Sequence, residues 1–314
     1  MKNLFYRLFL FFLPVIILII GCEVYVRTMP SQYKQKRDQL IANADSIEVL
    51  IMGTSNAADG ADPNQFSLYA HNLAFGFQSI YFDRKLIEKY LPVLPRLKYV
   101  LLDLPYNGLY YDHNELRDFF YYYYYGINYK NRKFCKESFS HTFFVYTPEQ
   151  TFSMILNNKK EVLVKGWINN EEENDREVMS LWKNKYRADL YSAVIKNWKG
   201  GDSVVYDLEA IIELLQSQNI TPILISYPNY SLVRSLLDKS IIERGQNVAN
   251  TLCQKYNILF LDYFDDDSFT SSDYYNCNHL NAKGAAKLSK KINEVIMNME
   301  EKRIKDEHNI VPLF

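Results

Sequence analysis

The sequence predicts an α/β fold, a parallel sheet with helices on both faces, and three observations carry that prediction. Short apolar runs at 47–52, 99–104, 222–226 and 258–261 have the length of buried strands. Amphipathic patterns at 80–91, 204–218, 232–256 and 282–297 alternate with them and repeat apolar residues at three and four. Strands joined by crossover helices pair in parallel, and such sheets place ligands at the carboxyl ends of their strands. At 314 residues and 48% hydrophobic, the chain can bury one large α/β domain with an appendage.

The first element is not part of that rhythm. From Leu8 to Cys22 the chain carries no charge, and with its apolar flanks the stretch approaches the ~20 residues that span a bilayer. Lys2 and Arg7 precede or border it, which reads as a signal anchor or signal peptide over 1–27 with the remainder extracytoplasmic, periplasmic in a Gram-negative cell. IIGC ending at Cys22 also resembles a lipobox, so an uncleaved anchor and a lipoprotein both stay open, the anchor preferred. Residues 28–45 are polar and helix-compatible and read as a stalk.

The first strand then ends at Gly53, so GTSN, 53–56, lies at a strand-to-loop junction. Between 106 and 200 the rhythm breaks into an aromatic and charged insertion or cap, including FFYYYYYG at 119–126. Five consecutive tyrosines cannot all face one ligand, and aromatic packing accounts for them better than sugar or base stacking. GGDS at 200–203 opens a helix without a preceding strand, so Asp202 or Ser203 serves as a cap. Residues 303–314 read as a peripheral tail.

Composition excludes several function classes. With 36 basic and 37 acidic residues the net charge is -1, and no basic stripe suggests nucleic acid. Cys22, Cys135, Cys253 and Cys277 form no CxxC pair, and Cys277 with His279 makes two ligands, short of a metal site. No metal and no cofactor is expected. His71 reads as structural, and His113 as a solvated loop side chain or a cleft-lining one.

Nucleophilic acyl transfer needs an exposed hydroxyl on a turn, a base and oxyanion donors. Ser55 after the first strand supplies the hydroxyl, although alone it fits a turn or helix N-cap serine better. His279, in YNCNHLNAKGAA before an amphipathic helix, supplies the base. With this pair the chain resembles the SGNH, or GDSL-like, hydrolase superfamily. HLNAKGA, 279–285, matches the family's C-terminal block, NLAFGFQSIYFD, 72–83, has the look of its second block, and PYN, ending at Asn107, loosely fits its third.

The resemblance spans most of 47–297 outside the insertion. It implies a three-layer α/β/α sandwich with about five parallel strands in flavodoxin-like order, occupying 46–302. It also implies Ser55 as nucleophile, His279 as base, and Gly76 and Asn107 as oxyanion donors. The family's usual acid stands three residues before the histidine, where this chain has Asn276. An Asn carbonyl can accept from the histidine but cannot offset its charge, and Asp273 is the alternative carboxylate. Membrane-anchored relatives of this kind are associated with O-acetylation or deacetylation of envelope polysaccharides. The substrate implied is therefore an acylated carbohydrate or other small ester, with hydrolysis and acyl transfer both possible at one site. A lipid esterase, and a catalytically silent glycan-binding member of a polysaccharide-assembly complex, are the rival readings.

Overall fold

The computed structural model describes residues 2–28, 31–110, 115–129, 162–169, 175–197 and 202–309. His113, Cys135, Gly200, Gly201 and the final IVPLF lie outside these ranges, as does much of the insertion. The chain divides into two compact units, residues 1–35 with 118–162, and residues 36–117 with 163–314.

In the first unit, helix α1 (Lys2–Thr28) has an apolar stretch, Asn3–Tyr25, long enough to cross a membrane. Helix α2 (Gln32–Ala42) begins in this unit, and helix α5 (Glu115–Tyr125) carries the tyrosine run. The Tyr33 ring stacks on Phe120 at 4.9 Å and meets Tyr121 edge-on at 5.7 Å, while Tyr121 and Tyr125 are fully buried. Tyr121, Tyr124 and Tyr125 pack against aromatic neighbours, whereas Tyr122 is exposed.

The second unit is built on five parallel strands, β1 (Val49–Met52), β2 (Ala70–Asn72), β3 (Tyr99–Asp103), β4 (Thr221–Ser226) and β5 (Leu259–Asp262), in the order β2-β1-β3-β4-β5. This is the flavodoxin-like order, whose switch point lies between β1 and β3. β1 and β3 run without a polar residue until Asp103, because both faces of a parallel sheet are covered. On one face Val49, Ile51, Leu101, Ile223 and Ile225 join Leu288, Ile292 and Ile296 of the C-terminal helix in a single core. Side chains alternate along a strand, so Leu50, Leu102 and Leu224 are buried on the other face. There α4 (Ile80–Tyr90) packs on α8 (Ser203–Ser217), with Leu86, Ile87, Leu208 and Ile211 inward; α6 (Asp175–Val178) and α7 (Leu181–Asn197) precede α8 in the chain.

Several boundaries differ from expectation for identifiable reasons. The stretch 232–256 is two helices, α9 (Ser231–Leu236) and α10 (Lys239–Tyr256), because Asp238 caps the second by accepting from the Ser240 N–H at 2.9 Å. The last helix, α11 (Ala282–Asn309), runs well past 297, through a charged stretch made of good helix formers. Its Glu300 is buried and accepts from the Tyr99 hydroxyl at 2.8 Å. The segment read as a stalk contains α2, whose Lys36 and Leu40 are buried. Asp202 holds the N-cap position of α8 without a capping bond, its carboxylate taken instead by Arg244 at 2.7 Å.

Candidate active site

The turn after β1 is set by three residues. Gly53 has φ +132°, and a Cβ there would lie 2.2 Å from the Asp103 Cβ, so no larger residue fits. Asp103, ending the neighbouring strand, accepts from the Thr54 N–H at 3.0 Å and from the Thr54 hydroxyl. Asp83 accepts from the Gly53 N–H, and from the Gln78 amide at 2.6 Å. Burial pushes both carboxyls up, Asp103 to about 7 and Asp83 to about 8. Thr54 caps the short helix α3 (Ser55–Gly60) through the Asn56 N–H, which leaves Ser55 as its first residue, above the carboxyl edge of the sheet.

The base comes from the other end of the chain. A small hairpin, β6 (Tyr274–Asn276) with β7 (His279–Leu280), precedes α11 and sets His279 Nε2 2.8 Å from Ser55 Oγ. The Tyr275 ring stacks on the imidazole at 5.5 Å and 11°. Burial, with a smaller contribution from the Arg187 guanidinium, pulls the imidazole down to about 3, so it is neutral.

Asn276 faces His279 Nδ1, but with its amide nitrogen, at 3.0 Å. Its carbonyl oxygen instead accepts from the backbone N–H groups of Asn278 at 3.1 Å and His279 at 3.0 Å. The carbonyl-to-histidine bond allowed by the sequence is therefore not made. Asp273 does not supply the carboxylate either. It is buried, accepts from the Thr270 N–H at 2.9 Å and pairs with Lys287 at 3.2 Å. The capping of its own short turn directs its side chain there.

Gly76 follows β2 in a loop against the serine, where a Cβ would sit 4.0 Å from Ser55 Cβ. Asn107, in the turn Tyr106–Tyr110 after β3, lines a cleft with Asn56 and Tyr191. The Tyr191 hydroxyl accepts from Asn278, beside the histidine, at 2.9 Å. Cys277 is buried, and among the described residues no group of three His, Cys, Asp or Glu is placed to hold a metal.

Other residues of the site were not singled out from sequence. Asp83 interrupts the buried stripe Ile80, Leu86, Ile87 and Tyr90, and Asp103 ends an apolar strand. A carboxylate in either place signals an internal partner. Lys36 gave no signal. It is buried, with Nζ bonded to Ala74 O and, at 3.4 Å, to Asn72 Oδ1, and it lies 4.6 Å from the Phe75 ring centroid. The Asn72 amide nitrogen donates to Ala57 O and Ala61 O, both at 2.9 Å, which ties the Gly76 loop to the serine helix. His71 is fully buried beneath Lys36, its Nε2 3.1 Å from Lys36 O.

A flavodoxin-like sheet with a serine after β1 and a histidine ahead of the last helix is the arrangement that the sequence resemblance implies. Solved structures similar to this chain include a GDSL-like lipase, a lipase/acylhydrolase and an acetylxylan esterase. A GDSL-like lipase from Bacteroides thetaiotaomicron is 11% identical with a TM-score of 0.43, over 86% of this chain and 100% of that one. A lipase/acylhydrolase from Enterococcus faecalis is 12% identical with a TM-score of 0.40, over 81% and 97%. A catalytic mutant of an acetylxylan esterase from Geobacillus stearothermophilus is 11% identical with a TM-score of 0.35, over 78% and 91%. No protein-family model and no curated protein matches the sequence. At these identities and TM-scores the chemistry has to be argued from the residues of this site.

Proposed function

We propose that this chain is an SGNH-type serine esterase or O-acyltransferase, acting on acyl, foremost acetyl, esters of extracytoplasmic glycans and tethered to a membrane by α1. The observation that carries the reading is the 2.8 Å approach of Ser55 Oγ to His279 Nε2 at the carboxyl edge of the sheet. Ser55 Oγ attacks the ester carbonyl and passes its proton to Nε2, and the carbonyl oxygen takes the negative charge. The N–H groups of Ser55 and Gly76 and the Asn107 amide receive that charge. Collapse breaks the ester C–O bond, and the Nε2 proton leaves with the alcohol. Water or a sugar hydroxyl then repeats the sequence on the acyl-serine. Asn56, Asn107 and Tyr191 bring amide and phenol groups to the adjoining cleft, which Leu237, Ile241 and Phe264 also line.

A second reading, a silent glycan-binding or assembly component, is favoured by the amide that Asn276 presents to the histidine. The two are separated by treating the full chain with 4-nitrophenyl acetate and a fluorophosphonate. The enzyme reading expects hydrolysis and covalent labelling, both lost in Ser55→Ala. A folded chain that does neither, both as wild type and as Asn276→Asp, is the binding protein.

A further inference from the structure

We propose that Asn276 holds His279 in the tautomer with its proton on Nε2, so that Ser55 accepts, rather than donates, the hydrogen bond between them. The Asn276 carbonyl oxygen receives two backbone N–H groups, those of Asn278 and His279. Backbone donors have no alternative orientation. Turning the amide over would aim its NH2 at both of them, so the amide nitrogen is fixed toward His279 Nδ1, 3.0 Å away. Nδ1 must then be the unprotonated nitrogen. An imidazolium, or the tautomer protonated on Nδ1, would set an N–H against the Asn276 NH2. The proton of the neutral ring therefore sits on Nε2 and points at Ser55 Oγ.

The remaining neighbour of the ring adapts to this. Asn278 also approaches Nε2, with its amide nitrogen at 3.2 Å, while the same nitrogen contacts the Tyr191 hydroxyl. No backbone group pins the Asn278 side chain: its Oδ1 accepts from the Cys277 thiol at 3.9 Å, a weak bond that the amide nitrogen can replace by donating to the same sulfur. Turned over, its carbonyl accepts from Nε2–H, and the Tyr191 hydroxyl, able to donate or accept, donates to it. Of the two amides, only Asn276 dictates.

The consequence for rate rests on the esterase reading above. A general base needs a bare Nε2, so before Ser55 can lose its proton the ring must move its own from Nε2 to Nδ1. Asn276 opposes that move until its amide leaves both backbone donors. Asn276 is thus a positioning residue that makes the resting site slow. Asn276→Asp keeps one oxygen on the backbone N–H groups, offers the other to Nδ1–H and frees Nε2. The expected gain in kcat/KM is up to about 10⁴-fold, the size of the loss when a serine protease triad acid becomes its amide.

The test is the ¹⁵N NMR spectrum of the full chain in detergent micelles, labelled with ¹⁵N-histidine, the His279 signals being assigned by their absence in His279→Gln. The wild type should show an unprotonated Nδ1 and a protonated Nε2 at neutral pH, and Asn276→Asp should reverse the pattern and label faster with fluorophosphonate. A wild-type ring protonated on Nδ1 overturns the proposal, whether or not the aspartate variant folds. An Nε2–H ring in the wild type, with neither hydrolysis nor labelling in a folded Asn276→Asp, leaves the tautomer standing and removes the esterase reading instead.

Discussion

At the residue level, the buried titratable groups around the nucleophile turn set opposite dependences on pH. His279 and His71 are both pulled down to about 3 by burial, below the ~6.5 of a free histidine. Between these values the unfolded chain binds more protons, so their contribution to stability is lost as pH falls from about 6.5 toward 3. Asp83 and Asp103 are pushed up to about 8 and about 7. Here the folded chain binds more protons, so stability is lost as pH rises from about 4 through those values. The two trends oppose each other in mild acid. Burial pulls the Lys36 ammonium down to about 7, so above that value the unfolded chain binds its proton and stability rises toward about 10.4, against the aspartates. The unfolding midpoint should therefore fall from about pH 6.5 to about 7, where the two aspartates outweigh Lys36, and Asp83→Asn should flatten that fall; an unchanged slope in the variant would remove Asp83 as its source. For activity, a base at about 3 predicts that fluorophosphonate labelling shows no break near 6.5 between pH 7 and 5. A break there would mean the imidazole titrates as a free one. Motif blocks pointed to Ser55, His279, Gly76 and Asn107, and the fold brings the first two within 2.8 Å. The direction of the Asn276 amide was not legible in the sequence, since it depends on two backbone N–H groups that only the folded hairpin presents.

At the level of elements, the turn between β1 and α3 transmits the sheet to the nucleophile, and Gly53 is where it is least tolerant. A methyl group at Gly53 would need both a φ of +132° and the space held by the Asp103 Cβ, 2.2 Å away. Gly53→Ala is expected to cost at least about 2–4 kcal/mol, combining strain at positive φ with displacement of Asp103. It should also abolish labelling while the far-ultraviolet circular dichroism stays native. Labelling at the wild-type rate would show that the Asp103 clamp does not set the serine. β1, β3, β4 and β5 were readable because parallel sheets demand apolar runs, and α4 and α8 because one buried face repeats at three and four; β2, whose three residues include His71 and Asn72, gives no such run. The break at Asp238 was not readable, because the apolar periodicity runs on across it and the cap depends on one side chain accepting from the Ser240 N–H. Likewise α11 continues past 297 on helix propensity, and on Glu300 meeting Tyr99 and Lys98, contacts 200 residues apart in sequence to within about two positions.

For the whole molecule, the parallel sheet followed from the alternation of strands and helices and its order from the family resemblance, whereas the aromatic insertion has no period from which an architecture follows. The apolar N-terminal stretch is the clearest whole-chain feature, and its length matches the helix Asn3–Tyr25. If that helix spans a bilayer, as the proposed function holds, the full chain should sediment with bacterial membranes, resist alkaline carbonate and be released by detergent. A charged side chain at the centre of such a span costs about 2.5–3.5 kcal/mol on insertion scales. Ile16→Asp with Ile17→Asp should therefore move the protein to the soluble fraction. The same membranes address the fate of Cys22: a retained anchor keeps the N-terminal residues in the mature chain, while processing at a lipobox removes them and leaves Cys22 acylated. Intact-mass measurement on the detergent-extracted protein separates these outcomes. A wild-type chain extracted by carbonate alone, with its N-terminus intact, would show that α1 does not cross the bilayer and would take the membrane out of the proposed function without touching the Ser55–His279 site.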